Sequence, residues 1–190
     1  GLSIKYGPDG GVFISDWHDF GECHDSDGSH RTTGRIYKVT YGNPERRSVN
    51  LRAETSVQLA ERHQHRNEWI VRHARRILHE RAVRGDDMPQ ARKRLRRQLQ
   101  AGSDHLAQLR ALWTLSLVGD LQEPDIMEIL EHPNEHLRRW AVRLLVDRQA
   151  PGMAAIAAMA RRARIEESPK VRLALGVALR RIDLDQRWEL

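Results

Sequence analysis

Apolar residues recur at helical spacing from about residue 54 to the end of the chain. An apolar residue followed by arginine occurs at Val71-Arg72, Leu109-Arg110, Leu137-Arg138 and Val171-Arg172. Most of the positions three and seven places after these apolar residues are also apolar. This spacing predicts helices with one apolar face. The intervals between successive dipeptides are typical of helix-pair repeats.

Each of these helices is preceded by a capping or helix-breaking residue. The predicted N-caps are Asn67, Ser103, Asn134 and Ser168. Shorter amphipathic helices are predicted before them, over Glu54–Arg62, Met88–Leu99, Pro124–Glu131 and Gly152–Arg164. A helix pair of this kind buries its apolar faces only by stacking on a neighbouring pair. The pattern therefore predicts a mostly α protein, in which residues 54–190 form a HEAT-like α-solenoid of about four helix pairs.

The N-terminal part of the chain follows a different pattern, with short β-rich segments. Strands are predicted over Ile4–Tyr6, Val12–Ser15 and Arg35–Tyr41, and the sequence Gly7-Pro8-Asp9-Gly10-Gly11 predicts a hairpin turn. Three short strands bury too little apolar surface to be stable alone. We therefore expect residues 1–42 to form a small antiparallel β element that packs on the helices or completes a larger β domain. Residues 43–53 are the predicted linker.

A long loop, Trp17–Thr33, lies between the second and third strands and is rich in Asp, His and Gly. The candidate metal ligands in and beside it are Asp16, Asp19, Glu22, Cys23, His24, Asp25 and Asp27. One hypothesis is a calcium or other divalent metal ion in the Asp16–Arg31 loop. The interpretation that we favour needs no cofactor, because the acids can cap turns and pair with Arg31 and Arg35. A catalytic or substrate-contacting role within a larger assembly is a third alternative.

Positive charge is concentrated in the first half of the helical region. The formal net charge of the chain is +6, and the stretch Arg62–Arg97 holds 12 Lys and Arg against 4 Asp and Glu. The candidate basic patch comprises Arg72, Arg75, Arg76, Arg92, Lys93, Arg94, Arg96 and Arg97. An arginine-lined solenoid could bind nucleic acid. We favour a solvated face, since Glu68–Arg72 and Glu80–Arg84 have the spacing of helical ion pairs and aromatic residues are sparse.

Composition excludes several other classes of site. Cys23 is the single cysteine, so the chain has neither an internal disulfide nor a Cys-x-x-Cys-His haem attachment. The longest apolar run, Met153–Ala160, is far shorter than the roughly 20 residues that a membrane-spanning helix needs. We therefore predict no membrane span. Trp113 and Trp140 are expected in the core, with Trp140 largely buried between the third and fourth helix pairs.

The N-terminal residues resemble a known family. Three segments carry this resemblance: the stretch from Tyr6 to Trp17, the run Gly21-Glu22-Cys23-His24-Asp25 and the stretch from His30 to Val39. They are similar to the end of the β-propeller in PVC-type haem-binding CxxCH proteins, also described as membrane-bound dehydrogenase-domain proteins. The stretch from His65 to Ala82 resembles their first HEAT repeat. The specific resemblance extends to about Gly85, and the remainder is similar only to HEAT repeats in general.

The resemblance implies an extracytoplasmic parent protein that combines a dehydrogenase-like propeller, a HEAT array and a haem domain. Any haem would belong to a part of the parent that is absent from this chain. The function we expect is a non-catalytic HEAT-repeat scaffold that contacts protein domains, either the parent's own propeller or other subunits. The alternatives are a nucleic-acid-binding basic solenoid and an enzyme fragment whose Asp16–Arg31 loop lines a metal or substrate site.

Overall fold

The computed structural model describes residues 3–16, 34–43, 48–102, 104–147 and 150–190. These residues form a mostly helical protein with a small antiparallel sheet, which confirms the predicted class. The strands are β1 (Ser3–Tyr6), β2 (Val12–Ser15) and β3 (Ile36–Val39). The eight α-helices of the described residues are α1 (Ser56–Glu61), α2 (Glu68–Val83), α3 (Pro89–Gln100), α4 (His105–Leu117), α5 (Glu123–Ile129), α6 (Glu135–Leu145), α7 (Met153–Ile165) and α8 (Pro169–Ala178).

The sheet has the order β1-β2-β3, and both pairs of strands are antiparallel. The predicted hairpin between β1 and β2 is confirmed. Its turn is held by the Asp9 carboxylate, which accepts a hydrogen bond from the Gly11 N–H at 3.0 Å and pairs with the Lys38 ammonium group. Gly10 has a φ of +83°, a conformation that favours glycine. The third strand is shorter than predicted, since it begins at Ile36 and ends at Val39.

Local capping chemistry explains where the longer helices begin. Asn67 and Asn134 cap α2 and α6 as predicted, because their side-chain oxygens accept the N–H groups of Trp69 and His136, each at 2.9 Å. The α4 prediction was one residue early: Asp104 is the cap, and its carboxylate accepts two backbone N–H groups.

The cap of α8 differs as well. Ser168 precedes the helix, but its side chain makes no cap hydrogen bond. Its hydroxyl instead donates to the carboxylate of Glu135. The helix begins with Pro169, whose fixed φ and missing N–H suit the first helical position.

The helices fall into two sets by their contacts, and we call these sets layers. The first layer contains α1, α3, α5 and α7, and the second contains α2, α4, α6 and α8; each odd-numbered helix packs on the even-numbered helix that follows it. Within the second layer, α2 contacts α4, α4 contacts α6 and α6 contacts α8. Both layers contribute to the core, whose fully buried side chains include Leu59, Leu78, Leu95, Leu112, Leu115, Leu137, Ile156 and Met159.

Two buried arginines tie neighbouring helix pairs together. Arg110 on α4 donates to the carbonyls of His63 and His65, at 2.9 and 3.2 Å, and pairs with Glu68 at the start of α2. Arg138 on α6 forms a two-bond pair with the buried carboxylate of Glu166, with distances of 2.7 and 2.8 Å. Each arginine therefore donates hydrogen bonds to polar groups in a segment that connects two helices.

These contacts correct the predicted helical ion pairs. Glu68 pairs with Arg110 from a neighbouring helix, not with Arg72. Glu80 pairs with Arg76 and Arg52, at 3.3 Å each, while Arg84 pairs with Asp86 at 2.9 Å. The spacing of the charges along α2 allowed the predicted pairs. Glu68 instead pairs with a residue of another helix, whereas Arg84 pairs with Asp86, two positions further along the chain.

A buried histidine also links the layers. The ring of His63 has no exposed surface; its Nδ1 lies 3.1 Å from the Leu59 carbonyl and its Nε2 lies 2.6 Å from the Thr114 hydroxyl oxygen. The Thr114 hydroxyl donates its hydrogen to the Arg110 carbonyl at 2.8 Å, so the neutral His63 ring acts as a donor, either to Leu59 or to Thr114, depending on which nitrogen carries the proton. Burial disfavours the charged ring and lowers the His63 pKa to about 4.

The sheet contacts the second layer at α2. The side-chain amide of Asn67 donates to the carbonyls of Gly7 and Pro8, at 3.0 and 3.1 Å. The Arg72 guanidinium lies 5.2 Å from the centre of the Tyr6 ring. The hairpin turn is thus attached to the start of the helical region. In the described parts of the chain, no helix is both long and apolar enough to cross a membrane.

Candidate functional site

Most of the candidate metal ligands lie outside the described residues. This applies to Asp19, Glu22, Cys23, His24, Asp25 and Asp27. Asp16 is described, and its backbone N–H donates to the Arg35 carbonyl at 2.8 Å. Within the described ranges, no group of three or more His, Cys, Asp or Glu side chains could hold a metal ion. The metal hypothesis for the Asp16–Arg31 loop therefore stays a prediction.

The candidate basic patch is divided between the two layers. Arg72, Arg75 and Arg76 lie on α2 in the second layer, whereas the remaining five cations lie on α3 in the first layer. The sequence suggested a single patch because these residues lie close together along the chain. The fold separates them into two sets with different surroundings.

Acidic side chains neutralise much of the α3 set. Arg96 pairs with Asp120 at 2.6 Å and with Asp125 at 3.3 Å, and it also donates to the Asp120 carbonyl. Arg92 lies 3.9 Å from Asp120. In addition, Arg94 lies 3.8 Å from Glu61 on α1. These contacts give the α3 arginines a structural role, while Lys93 and Arg97 are exposed to solvent.

A groove on the second layer brings cations, aromatic rings and aliphatic side chains together. Its central cavity has a volume of about 440 Å³ and lies across α2, α4 and α6. The lining residues are Arg75, Trp113, Ser116, Leu117, Trp140, Leu144 and Asp147. We call this surface the second-layer groove.

Two tryptophans line the groove. The rings of Trp113 and Trp140 meet edge to face, with their centres 5.1 Å apart and their planes at 67°. The guanidinium of Arg75 lies 5.2 Å from the Trp113 ring centre, and that of Arg143 lies 4.3 Å from the Trp140 ring centre. Cation–π attraction therefore holds both guanidinium groups beside the cavity.

Trp140 is less buried than predicted. It is partly exposed, and its aromatic partner belongs to α4, so it lies between the second and third helix pairs. The predicted position between the third and fourth pairs was wrong. The helical pattern identified the side of α6 that carries Trp140, but not how far the neighbouring helices cover it.

Among the described residues, Asp147 is the acidic side chain that lines the central cavity beside Arg75. Neither Arg75 nor Arg143 makes an ion pair with a carboxylate in the part of the chain that the structure describes. Burial lowers the pKa of Arg75, and the nearby charges of Arg72 and Arg110 add to this effect. Glu68 opposes it, but its carboxylate already pairs with Arg110. An anion beside Arg75 would relieve this unfavourable charge.

Two further cavities lie along the second layer. Towards the C-terminus, a further cavity of about 440 Å³ between α6 and α8 is lined by Arg143 and shares Asp147 with the central one. It includes Leu173 and Val177, which are 69% and 56% exposed. Towards the sheet, a cavity of about 380 Å³ is lined by Lys5, Tyr6, Trp69, Arg72, His73 and Arg76.

A larger cavity, of about 770 Å³, lies between the hairpin turn and the first helix pair. Several of its polar side chains already have partners: Arg62 pairs with Glu54, Asn67 donates to the hairpin carbonyls, and Glu68 pairs with Arg110. It therefore offers fewer free binding groups than the second-layer groove.

The sequence interpretation missed the tryptophans and Arg143 as parts of a binding surface. One signal was available, because Trp140 and Arg143 are three positions apart and so share a face of a helix. The contact between Arg75 and Trp113 had no such signal, since the two residues belong to different helices.

Comparisons with known proteins leave the function to be argued from this geometry. No protein-family model, no curated protein sequence and no solved structure matches the chain.

Proposed function

We propose that the chain is a HEAT-like helical-repeat scaffold that holds a protein partner in the second-layer groove. One observation carries this proposal. Guanidinium groups without carboxylate partners, partly exposed tryptophans and exposed aliphatic side chains share one surface of the described residues. Aromatic and arginine side chains are the residue types that contribute most to protein interfaces.

Two features support the repeat architecture. The first is the alternation of helices between the layers, which gives four successive pairs in the described part of the chain. The second is a repeated connection: His65 precedes Asn67 and His132 precedes Asn134, and in both cases the His Nδ1 accepts the Asn backbone N–H, at 2.9 and 3.0 Å. Each Asn then caps the next helix. Repeats of one local design favour a solenoid built by stacking.

The chemistry of the groove supports binding. Guanidinium groups bind anions, while indole rings and leucine side chains bind apolar groups. Solenoids present such groups along an extended face formed by successive repeats. A linear segment of a partner protein would contact α2, α4 and α6 in turn.

Display of random 12-residue peptides tests this proposal. The full chain would be immobilised and used to select peptides. The selected peptides would then be retested against a Trp113→Ala/Trp140→Ala variant. The matched control is Ala157→Ser, on the exposed side of α7. We expect enriched peptides that bind the control and lose binding to the tryptophan variant. A set of peptides that binds all three proteins equally, or no enrichment at all, would contradict the proposal.

We also propose that the chain belongs to an extracytoplasmic, dehydrogenase-like propeller protein of the PVC-type haem-binding CxxCH family. The similarity of the stretch from Tyr6 to Val39 supports this proposal, and so does the order of a β element followed by helix pairs. The sequence of the complete gene is the test. Further propeller blades together with a Cys-x-x-Cys-His motif are the expected result, and a complete reading frame without either would contradict it.

A further inference from the structure

We infer that the second-layer groove recognises an extended acidic peptide with the pattern acidic-x-apolar-x-acidic. The two acidic side chains would bind Arg75 and Arg143, and the apolar side chain would enter the central cavity. This inference rests on the proposed function and names the chemistry of its partner.

Each of the two arginines lies beside one of the paired tryptophans. Distances of 5.2, 5.1 and 4.3 Å connect the Arg75 guanidinium, the Trp113 ring, the Trp140 ring and the Arg143 guanidinium. An extended chain rises roughly 3.3 Å per residue, so residues i and i+4 are about 13 Å apart and project from the same face. The sum of the three distances is an upper limit on the span between the two guanidinium carbons, and the flexible side chains of two glutamates at i and i+4 can converge on a shorter span. Residue i+2 projects from the same face between the two acids.

Apolar side chains line the cavity that residue i+2 of the peptide would enter. The central cavity contains Leu117 and Leu144 beside the two indole rings, and its volume of about 440 Å³ is within the common range for ligand pockets. A leucine or phenylalanine at position i+2 would contact these side chains. The carboxylates on either side of it would approach Arg75 and Arg143, whose guanidinium planes can each bind a carboxylate through two hydrogen bonds.

The groove suits a peptide better than single-stranded nucleic acid. Proteins that bind single strands stack bases on open aromatic faces, but a guanidinium group lies over the ring of Trp113 and another over the ring of Trp140. The exposed Leu173 adds an aliphatic surface, which suits a peptide side chain.

Fluorescence anisotropy with defined peptides tests the inference on the full chain. The probe is a labelled 11-residue peptide with a Glu-Ser-Leu-Ser-Glu centre, and the matched peptides carry Gln-Ser-Leu-Ser-Gln or Glu-Ser-Ser-Ser-Glu. We expect each change to weaken binding about tenfold. Raising the salt concentration should also weaken binding of the acidic probe.

Protein variants locate the site. Arg75→Gln and Arg143→Gln should each weaken binding of the acidic probe several-fold, whereas Arg161→Gln on exposed α7 should leave it unchanged. Equal binding of the Glu and Gln peptides, or an unchanged affinity in both groove variants, would overturn the inference. Tighter binding of a 12-residue oligothymidine that depends on the same arginines would overturn it in favour of nucleic acid.

The two proposals fail separately. If peptide display enriches neutral apolar sequences that need Trp113 and Trp140, the scaffold proposal stands and the acidic pattern is wrong. If display enriches nothing, the scaffold proposal itself is contradicted. Thermal unfolding of Arg75→Gln and Arg143→Gln must match that of the unchanged chain, so that lost binding reports on the groove.

Discussion

Replacing Glu166 by Gln is expected to lower the free energy of unfolding by about 3 kcal/mol at pH 7. The Glu166 carboxylate has no exposed surface and accepts two hydrogen bonds from Arg138, one from Arg162 at 2.7 Å and one from the Ser168 N–H at 2.9 Å. The Arg138 bonds contribute most to lowering its pKa from 4.5 to about 2. That shift corresponds to about 3 kcal/mol of stability.

The substitution keeps the shape of the side chain and removes its charge. Arg138, with only 10% of its side chain exposed, would then be a buried cation without its anionic partner. Breaking one partner of a buried ion pair costs about 3–5 kcal/mol, which agrees with the value from the pKa shift. Urea unfolding at pH 7, followed by circular dichroism, measures the change, and Glu167→Gln at the exposed neighbouring position is the matched control.

The pH dependence gives a second measurement on the same proteins. A carboxyl group with a lowered pKa stabilises the fold above pH 4.5, and this contribution is lost as the pH falls through about 2. The unchanged chain should therefore lose more stability than Glu166→Gln over this range. A loss below about 1 kcal/mol at pH 7, or a loss equal to that of the Glu167 control, would refute the reasoning.

Three further predictions concern the helical core and the groove. The stability contribution of His63 should fall by about 3 kcal/mol as the pH decreases from 6.5 to about 4, because the unfolded chain takes up the proton first. Urea unfolding across this pH range, with His63→Gln for comparison, measures this loss. Arg110→Met should cost about 2–4 kcal/mol, since Glu68 and two carbonyls lose their donor, whereas the exposed Arg97→Met should change stability by less than about 0.5 kcal/mol. Trp140→Ala should cost about 2–3 kcal/mol in the same assay, less than for a fully buried tryptophan.

Each of these predictions has a result that would contradict it. A pH profile that is the same with and without the His63 ring would show that the ring is not buried in its neutral form. Equal effects of Arg110→Met and Arg97→Met would show that the buried hydrogen bonds of Arg110 add no stability. A Trp140→Ala change below about 1 kcal/mol would mean that the indole makes no substantial contact with α4.

Local patterns in the sequence were enough to predict the helices and the hairpin. The apolar stripes specified which segments are helical, and Asn67 and Asn134 marked where two helices begin, because capping uses backbone groups only two or three positions away. The hairpin followed from the turn residues around Gly10 for the same reason. Information of this kind is contained in a few consecutive residues.

The sequence by itself therefore determined the mostly helical class, the small sheet and the approximate bounds of most elements. Only the tertiary structure decided that Glu68 pairs with Arg110, that the arginines of α2 and α3 lie in different layers, and that Trp113 meets Trp140 in an open groove. These contacts join residues from different helices, and the spacing of residues along one helix does not specify which neighbour lies beside it. The candidate site depends on such contacts, so its charge and exposure followed from how the helices pack.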